Sequence, residues 1–199
     1  SGSLNSTFIN TNIDNNSGRG LWANGDKHFQ NTSISNNTSD GVSGSGNISL
    51  NLATIDNNSG VGITGSFESL AADSSSISGN QNGGISGDGN LMITASTIDG
   101  NATGNAGGGI NLTGTLTIEN STISGNTASS NGGGINVNGD VLVTNSFIES
   151  NNGNNGGGVN VSGTLTTENS TISGNTASSN GGGINVNGDV LVTNSFIES

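Results

Sequence analysis

The sequence predicts an all-β chain wound as a right-handed parallel β-helix, a β-solenoid of about eight coils with three short strands in each. Three observations carry that expectation. An isoleucine recurs every 21 to 25 residues, an asparagine stands three positions after it, and the apolar residues between follow a period of two.

The isoleucine anchors are Ile13, Ile34, Ile55, Ile77, Ile98, Ile123, Ile148, Ile172 and Ile197, with steps of 21 or 22 residues up to Ile98 and of 24 or 25 after it. The asparagines that follow are Asn16, Asn37, Asn58, Asn80, Asn101, Asn126, Asn151 and Asn175, one in every coil that can be tested. Seven positions before the anchor stand Ile48, Leu70, Leu91, Leu116, Val141, Leu165 and Val190. Five before it stand Phe8, Phe29, Leu50, Ala72, Ile93, Ile118, Val143, Thr167 and Val192. A spacing of two puts both columns on one side of a strand.

A third strand is expected to begin where a glycine precedes an apolar residue: Gly20-Leu21, Gly41-Val42, Gly62-Ile63, Gly84-Ile85, Gly109-Ile110, Gly134-Ile135, Gly158-Val159 and Gly183-Ile184. The gap from the asparagine to that apolar residue is five positions early in the chain (Asn16 to Leu21) and eight or nine later (Asn101 to Ile110, Asn151 to Val159). The added residues are expected in one surface loop outside the stacked core, where a solvated backbone tolerates insertions. The whole chain, 1–199, reads as one solenoid domain.

Other readings fail on the same pattern. A helix would need a period near 3.6 and fewer glycines. Disorder would fit the abundance of Asn, Ser, Thr and Gly and the 8% of charged residues, but not strict columns. Left-handed hexapeptide solenoids have shorter, more regular coils, and right-handed crossover is the usual hand of parallel connections.

Stacking explains the residue types. Equivalent side chains lie about 4.8 Å apart along the axis, so aliphatic columns bury surface continuously and Asn columns can pass amide hydrogen bonds from coil to coil. A second Asn column, three before the anchor, holds Asn10, Asn31, Asn120, Asn145, Asn169 and Asn194, interrupted by Leu52, Ser74 and Ala95. Just after the anchor, acid and serine alternate: Asp14, Ser35, Asp56, Ser78, Asp99, Ser124, Glu149, Ser173, Glu198. Like charges are thereby held about two rungs, roughly 10 Å, apart, where screening removes most of their repulsion. The same two-coil rhythm appears in an exact duplication, Glu119 to Ser150 recurring as Glu168 to Ser199.

Composition narrows function. A formal charge of -12, with Arg19 and Lys27 the only Lys or Arg, argues against nucleic acid and anionic membrane surfaces as partners. No window supplies the roughly 18 apolar residues of a membrane span. With no Cys, neither disulfides nor thiolate metal sites are available. The start, Ser1-Gly2-Ser3-Leu4, carries neither an initiator Met nor a signal peptide, which fits a processed or excised chain.

An enzyme is not expected, and no catalytic residue, metal or cofactor is assigned. Glycoside hydrolysis needs two carboxylates at matched separation, and lyase chemistry needs a base with a cation to stabilise developing charge. The acids are spread along the axis, and two basic residues furnish no cleft. Gly-Asp pairs, as at Gly25-Asp26, Gly87-Asp88, Gly139-Asp140 and Gly188-Asp189, read as capped turns in preference to calcium sites. Asn-x-Ser/Thr triplets such as Asn120-Ser121-Thr122 arise by chance in this composition. Thr115, Thr117, Thr164 and Thr166 raise an ice-binding face, but Asp140, Leu142, Asp189 and Leu191 interrupt it. Arg19, Trp22, Lys27 and His28 gather every basic residue and the only Trp within ten positions, a possible interaction patch in which Trp beside cations stacks on a sugar or an interface.

The pairing of Gly-Gly-Gly-Ile (132 to 135 and 181 to 184) with Ile123-Ser124-Gly125-Asn126 resembles the repeats of bacterial polymorphic outer-membrane proteins and autotransporter passengers. The resemblance covers most of the chain. It implies a secreted or cell-surface location and adhesive or structural roles. The commonest form in those repeats has Ala where Gly134 and Gly183 stand.

Both ends fall in mid-coil without a capping helix, so strand edges and apolar rungs are expected to invite further pairing. The expected function is an extracellular structural solenoid, a stalk segment or a subunit stacking end to end into a fibre. The alternative is an adhesin or carbohydrate-binding β-helix whose partner is a glycan or the cell surface.

Overall fold

The computed structural model describes residues 5–198, which are all strand, turn and bend without a helix. The expectations for Ser1 to Leu4 and for Ser199 lie outside the described residues. Every pairing is parallel and joins one coil to the next, as in Ile55 to Ile77 to Ile98 to Ile123. The chain is a β-solenoid of about eight turns, as the periodicity requires.

The anchor strands form a nine-stranded sheet, with Thr54–Asp56, Ser76–Ser78 and Thr97–Asp99 among its members. The strands before the anchor lie in a 14-stranded sheet together with the glycine-led strands. The two were expected as separate short strands. In Ile63–Asp73, Ile85–Thr94 and Ile110–Glu119 they run on as one continuous strand. Glycine makes the continuation possible: Gly89 and Gly114 sit at φ of 127° and 140°, and a Cβ on Gly114 would lie 2.0 Å from the Gly89 carbonyl oxygen.

The inserted residues correct one expectation in part. Some of the added length joins a third, four-stranded parallel sheet of Ala102–Thr103, Thr127–Ala128, Asn152–Asn155 and Thr176–Asn180, while Gly104, Asn105 and Ser129 stay exposed in bends at the surface, as expected of a loop. Where the segments pair, each meets its own copy one coil away: Thr127 N–H donates to Asn101 O at 2.9 Å and Ser129 N–H to Thr103 O at 3.1 Å. Thr103 and Ala128 turn inward and are buried. The molecule therefore widens after Ile98, and the first strand of the third sheet forms a step.

The core is one aliphatic cluster running the length of the solenoid, with Ile55, Ile77, Ile98, Ile123 and Ile148 stacked at its centre. At the N-terminal side Phe8 and Phe29 stack with ring centroids 5.0 Å apart. The second Asn column is a left-handed corner throughout. Asn120 and Asn145 have φ of 50° and 49°, and Leu52, Ser74 and Ala95 are held there too, at 53°, 49° and 48°.

Candidate functional site

Most of the buried polar groups serve the stack. In the Asn ladder, Nδ2 of Asn58 donates to Oδ1 of Asn80 at 2.9 Å and to the carbonyl of Ile34 at 3.1 Å, while its Oδ1 receives both the backbone and the side-chain N–H of Asn37. The pattern runs unbroken from Asn16 through Asn37, Asn58, Asn80, Asn101, Asn126 and Asn151 to Asn175. Such an amide meets both donors and the acceptor inside the wall, which allows near-complete burial.

A second buried ladder escaped the sequence reading. Ser75, Ser96, Ser121, Ser146 and Ser170 stand two residues before the anchors. Each Oγ accepts the equivalent backbone N–H of the preceding coil, Ala53 N–H for Ser75 and a serine N–H for the others, as Ser75 N–H to Ser96 Oγ at 2.9 Å, and donates to the carbonyl two residues back, as Ser96 to Thr94 O at 2.7 Å. The register was visible in the sequence, but serine is too common there to mark a column.

The acid and serine column is in register as expected, with Asp56 beside Ser78, Ser78 beside Asp99 and Asp99 beside Ser124. Ser124 Oγ donates to Asp99 Oδ1 at 2.8 Å, so the intervening hydroxyl also solvates the charge. A second column, four before the anchor, alternates out of phase with the first: Asp73, Thr94, Glu119, Thr144, Glu168, Thr193. Two of the Gly-Asp residues cap the backbone of a neighbouring coil, Asp26 Oδ1 accepting from Asn47 N–H at 2.9 Å and Asp140 Oδ1 from Thr164 N–H at 2.8 Å. Thr117, Leu142, Thr166 and Leu191 form one outward column, so threonine alternates with leucine on that face.

The four residues of the N-terminal patch do not share a surface. Lys27 points into the lumen, 2% exposed, in the column that continues as Ile48, and its Nζ donates to the carbonyls of Gly25 and Ser45 at 2.9 and 2.7 Å. Burial lowers its pKa from 10.5, opposed by the nearby Asp26 carboxylate. His28 follows on the outer face of the same strand, between Thr7 and Ser49. Arg19 pairs with Asp40 at 3.1 Å, and Trp22 is 60% exposed beside Ser43.

Sequence reasoning also missed the recess at the step. A cavity of about 360 Å³ is lined by Asp40, Asn82, Ser86, Thr103, Asn105 and Asn111, with Val61, Ala106 and Gly107. Two of its lining residues, Ser86 and Asn111, belong to a column of the glycine-led strands that runs Trp22, Ser43, Thr64, Ser86, Asn111, Asn136, Asn160, Asn185. From Asn111 onward this column is a further amide ladder: Asn136 Nδ2 donates to Asn111 Oδ1 at 2.8 Å, Asn160 to Asn136 at 2.8 Å and Asn185 to Asn160 at 2.7 Å. Among the described residues no three His, Cys, Asp or Glu side chains converge in a way that could hold a metal ion.

Comparison of the chain with models of known families, with curated proteins and with solved structures gave no match.

Proposed function

We propose that the chain is an extracellular structural β-solenoid of the cell surface, a stalk segment or a subunit that stacks end to end into a fibre, without catalytic activity. One observation supports this reading above the others: the coil is complementary to itself. Val141 of the duplicated stretch 119–150 and Val190 of its copy 168–199 both pair on one register with Leu165 between them, and the Asn ladder passes through the same coils. Such a unit builds length by repetition, since each coil offers the next the surface that it used itself.

Electron microscopy and sedimentation of the purified chain over a range of concentrations test the reading, together with chains carrying extra copies of the two-coil unit. Rods that lengthen by about 10 Å per added unit and associate along their axis support it. Discrete particles of about 40 Å at every concentration reject the fibre and leave the stalk segment. Labelling of intact source cells tests the location, and labelling only after permeabilisation contradicts it.

The adhesin or carbohydrate-binding alternative is favoured by a separate observation, the polar recess in line with Trp22.

A further inference from the structure

We infer that the step between the narrow and the wide coils binds a neutral oligosaccharide, held in the recess at one end and by Trp22 at the other. The surface Asn ladder runs out at Asn111. Asn136, Asn160 and Asn185 each spend a side-chain N–H on the asparagine one coil earlier. Asn111 has Ser86 at that place, and neither Asn111 Nδ2 nor Ser86 Oγ makes a hydrogen bond among the described residues. The donor that ends the ladder is therefore unspent at the wall of a cavity.

Other groups around it are unspent too. The side-chain amide of Asn105 has no partner among the described residues; its backbone alone is bonded, the N–H donating to Thr103 Oγ1 at 3.2 Å and the carbonyl accepting from Ser130 N–H at 3.1 Å. Asn82 uses one amide proton on the Ser59 carbonyl at 3.3 Å and leaves its Oδ1 open. The recess thus offers amide donors, an amide acceptor and a hydroxyl within about 360 Å³. A sugar, whose hydroxyls each donate and accept, matches that mixture, as a few convergent polar groups in a concave site fix a small ligand.

The recess selects for a neutral and an extended ligand. Its one carboxylate, Asp40, is already committed to Arg19 Nε and to the Val61 N–H at 3.1 Å each, so no free cation faces an acidic sugar. The remaining field of a -12 chain repels anions. Trp22 lies on the same outward column four rungs from Asn111, about 19 Å along the axis, with Ser43, Thr64 and Ser86 between. An exposed indole at that distance provides an apolar platform for a second sugar ring. Thr103, from the first strand of the third sheet, borders the recess on the side of the wide coils, so a ligand that also reaches Trp22 runs over the narrow coils.

The test titrates the ¹⁵N-labelled protein with cellotetraose, xylotetraose, maltotetraose, chitotetraose and tetragalacturonate, following side-chain amide shifts and Trp22 fluorescence. At least one neutral tetrasaccharide is expected to shift the Asn82, Asn105 and Asn111 amides and to change the fluorescence. Asn105→Ala, which removes no bond of the fold, and Asn111→Ala are each expected to weaken binding about three- to tenfold, the effect of one neutral hydrogen bond. Trp22→Ala is expected to weaken it as well, and Thr171→Ala on the nine-stranded sheet to leave it unchanged. No binding by any neutral probe at about 10 mM, binding indifferent to Asn105→Ala and Trp22→Ala, or a preference for tetragalacturonate overturns the inference.

Discussion

Asn80 hands its side-chain amide to Asn101: Nδ2 donates to Oδ1 at 2.9 Å, and the Asn80 backbone N–H donates to the same oxygen at 3.0 Å. Asn101 in turn donates to the Ile77 carbonyl at 2.9 Å and to Asn126. One buried amide thus couples its own coil to the coils on either side.

Asn101→Ala is expected to cost about 3–5 kcal/mol, because it strands the Asn80 donors and the Ile77 carbonyl in the wall. Asn15→Ala, at an exposed corner whose amide bonds only to Asp14 at 3.1 Å, is expected to cost less than about half of that. Denaturant unfolding of the two variants measures the difference.

Gly134→Ala tests the departure from the resembling repeats. A Cβ there would stand 2.7 Å from the Gly158 carbonyl oxygen and 2.9 Å from Asn151 Cγ. The expected loss is about 1–3 kcal/mol, the range for overpacking. Gly18→Ala, where a Cβ meets nothing within 4 Å, serves as the neutral comparison in the same unfolding assay.

Thr167→Val is expected to stabilise the fold by about 1 kcal/mol. Thr167 Oγ1 is buried without a hydrogen-bond partner in a column that otherwise carries Ile93, Ile118 and Val143. Valine keeps the shape and removes the unsatisfied hydroxyl. An unchanged or lower melting temperature contradicts this.

Ser150→Gly and Leu52→Asn are each expected to stabilise by about 0.5–1 kcal/mol, since both positions hold a left-handed backbone, at φ of 56° and 53°, which Gly and Asn adopt more readily. The positions equivalent to Ser150 already carry glycine at Gly79, Gly100, Gly125 and Gly174, and those equivalent to Leu52 carry asparagine at Asn31 and Asn120. Thermal unfolding of the single variants checks both.

Lys27 makes stability depend on alkaline pH. Burial lowers its pKa in the folded chain from 10.5, against the opposing pull of Asp26. In the window between the lowered value and 10.5 the unfolded chain binds the proton more than the folded chain does, so stability rises with pH there. Below the window the cost of burying the charge is present in full. Lys27→Met is expected to remove this rise, read from unfolding curves taken across that range.

Much of the fold was legible because stacking imposes one residue type on each column. Ile55, Asn58 and their equivalents recur so regularly that both the ladder and the acid and serine alternation follow from counting. What was missed lacks contrast with its surroundings. Ser75 and Ser96 form a ladder in a serine-rich chain, and Ala102–Thr103 pairs as a strand without the apolar alternation that announces one. Lys27 was read as part of a surface patch because charge outweighed register, although it stands seven residues before Ile34 in the column of Ile48. The recess at Asn111 arises from a change in coil width, which no single motif encodes.

Electron–electron double resonance on spin labels in the exposed column before the anchors tests the stacking most directly. Labels at Thr54 with Phe147, with Thr171 and with Phe196 are separated by four, five and six rungs. Stacked coils give narrow distances near 19, 24 and 29 Å, growing by about 4.8 Å per coil. Broad distributions, or distances that do not climb with coil number, would contradict the stacking.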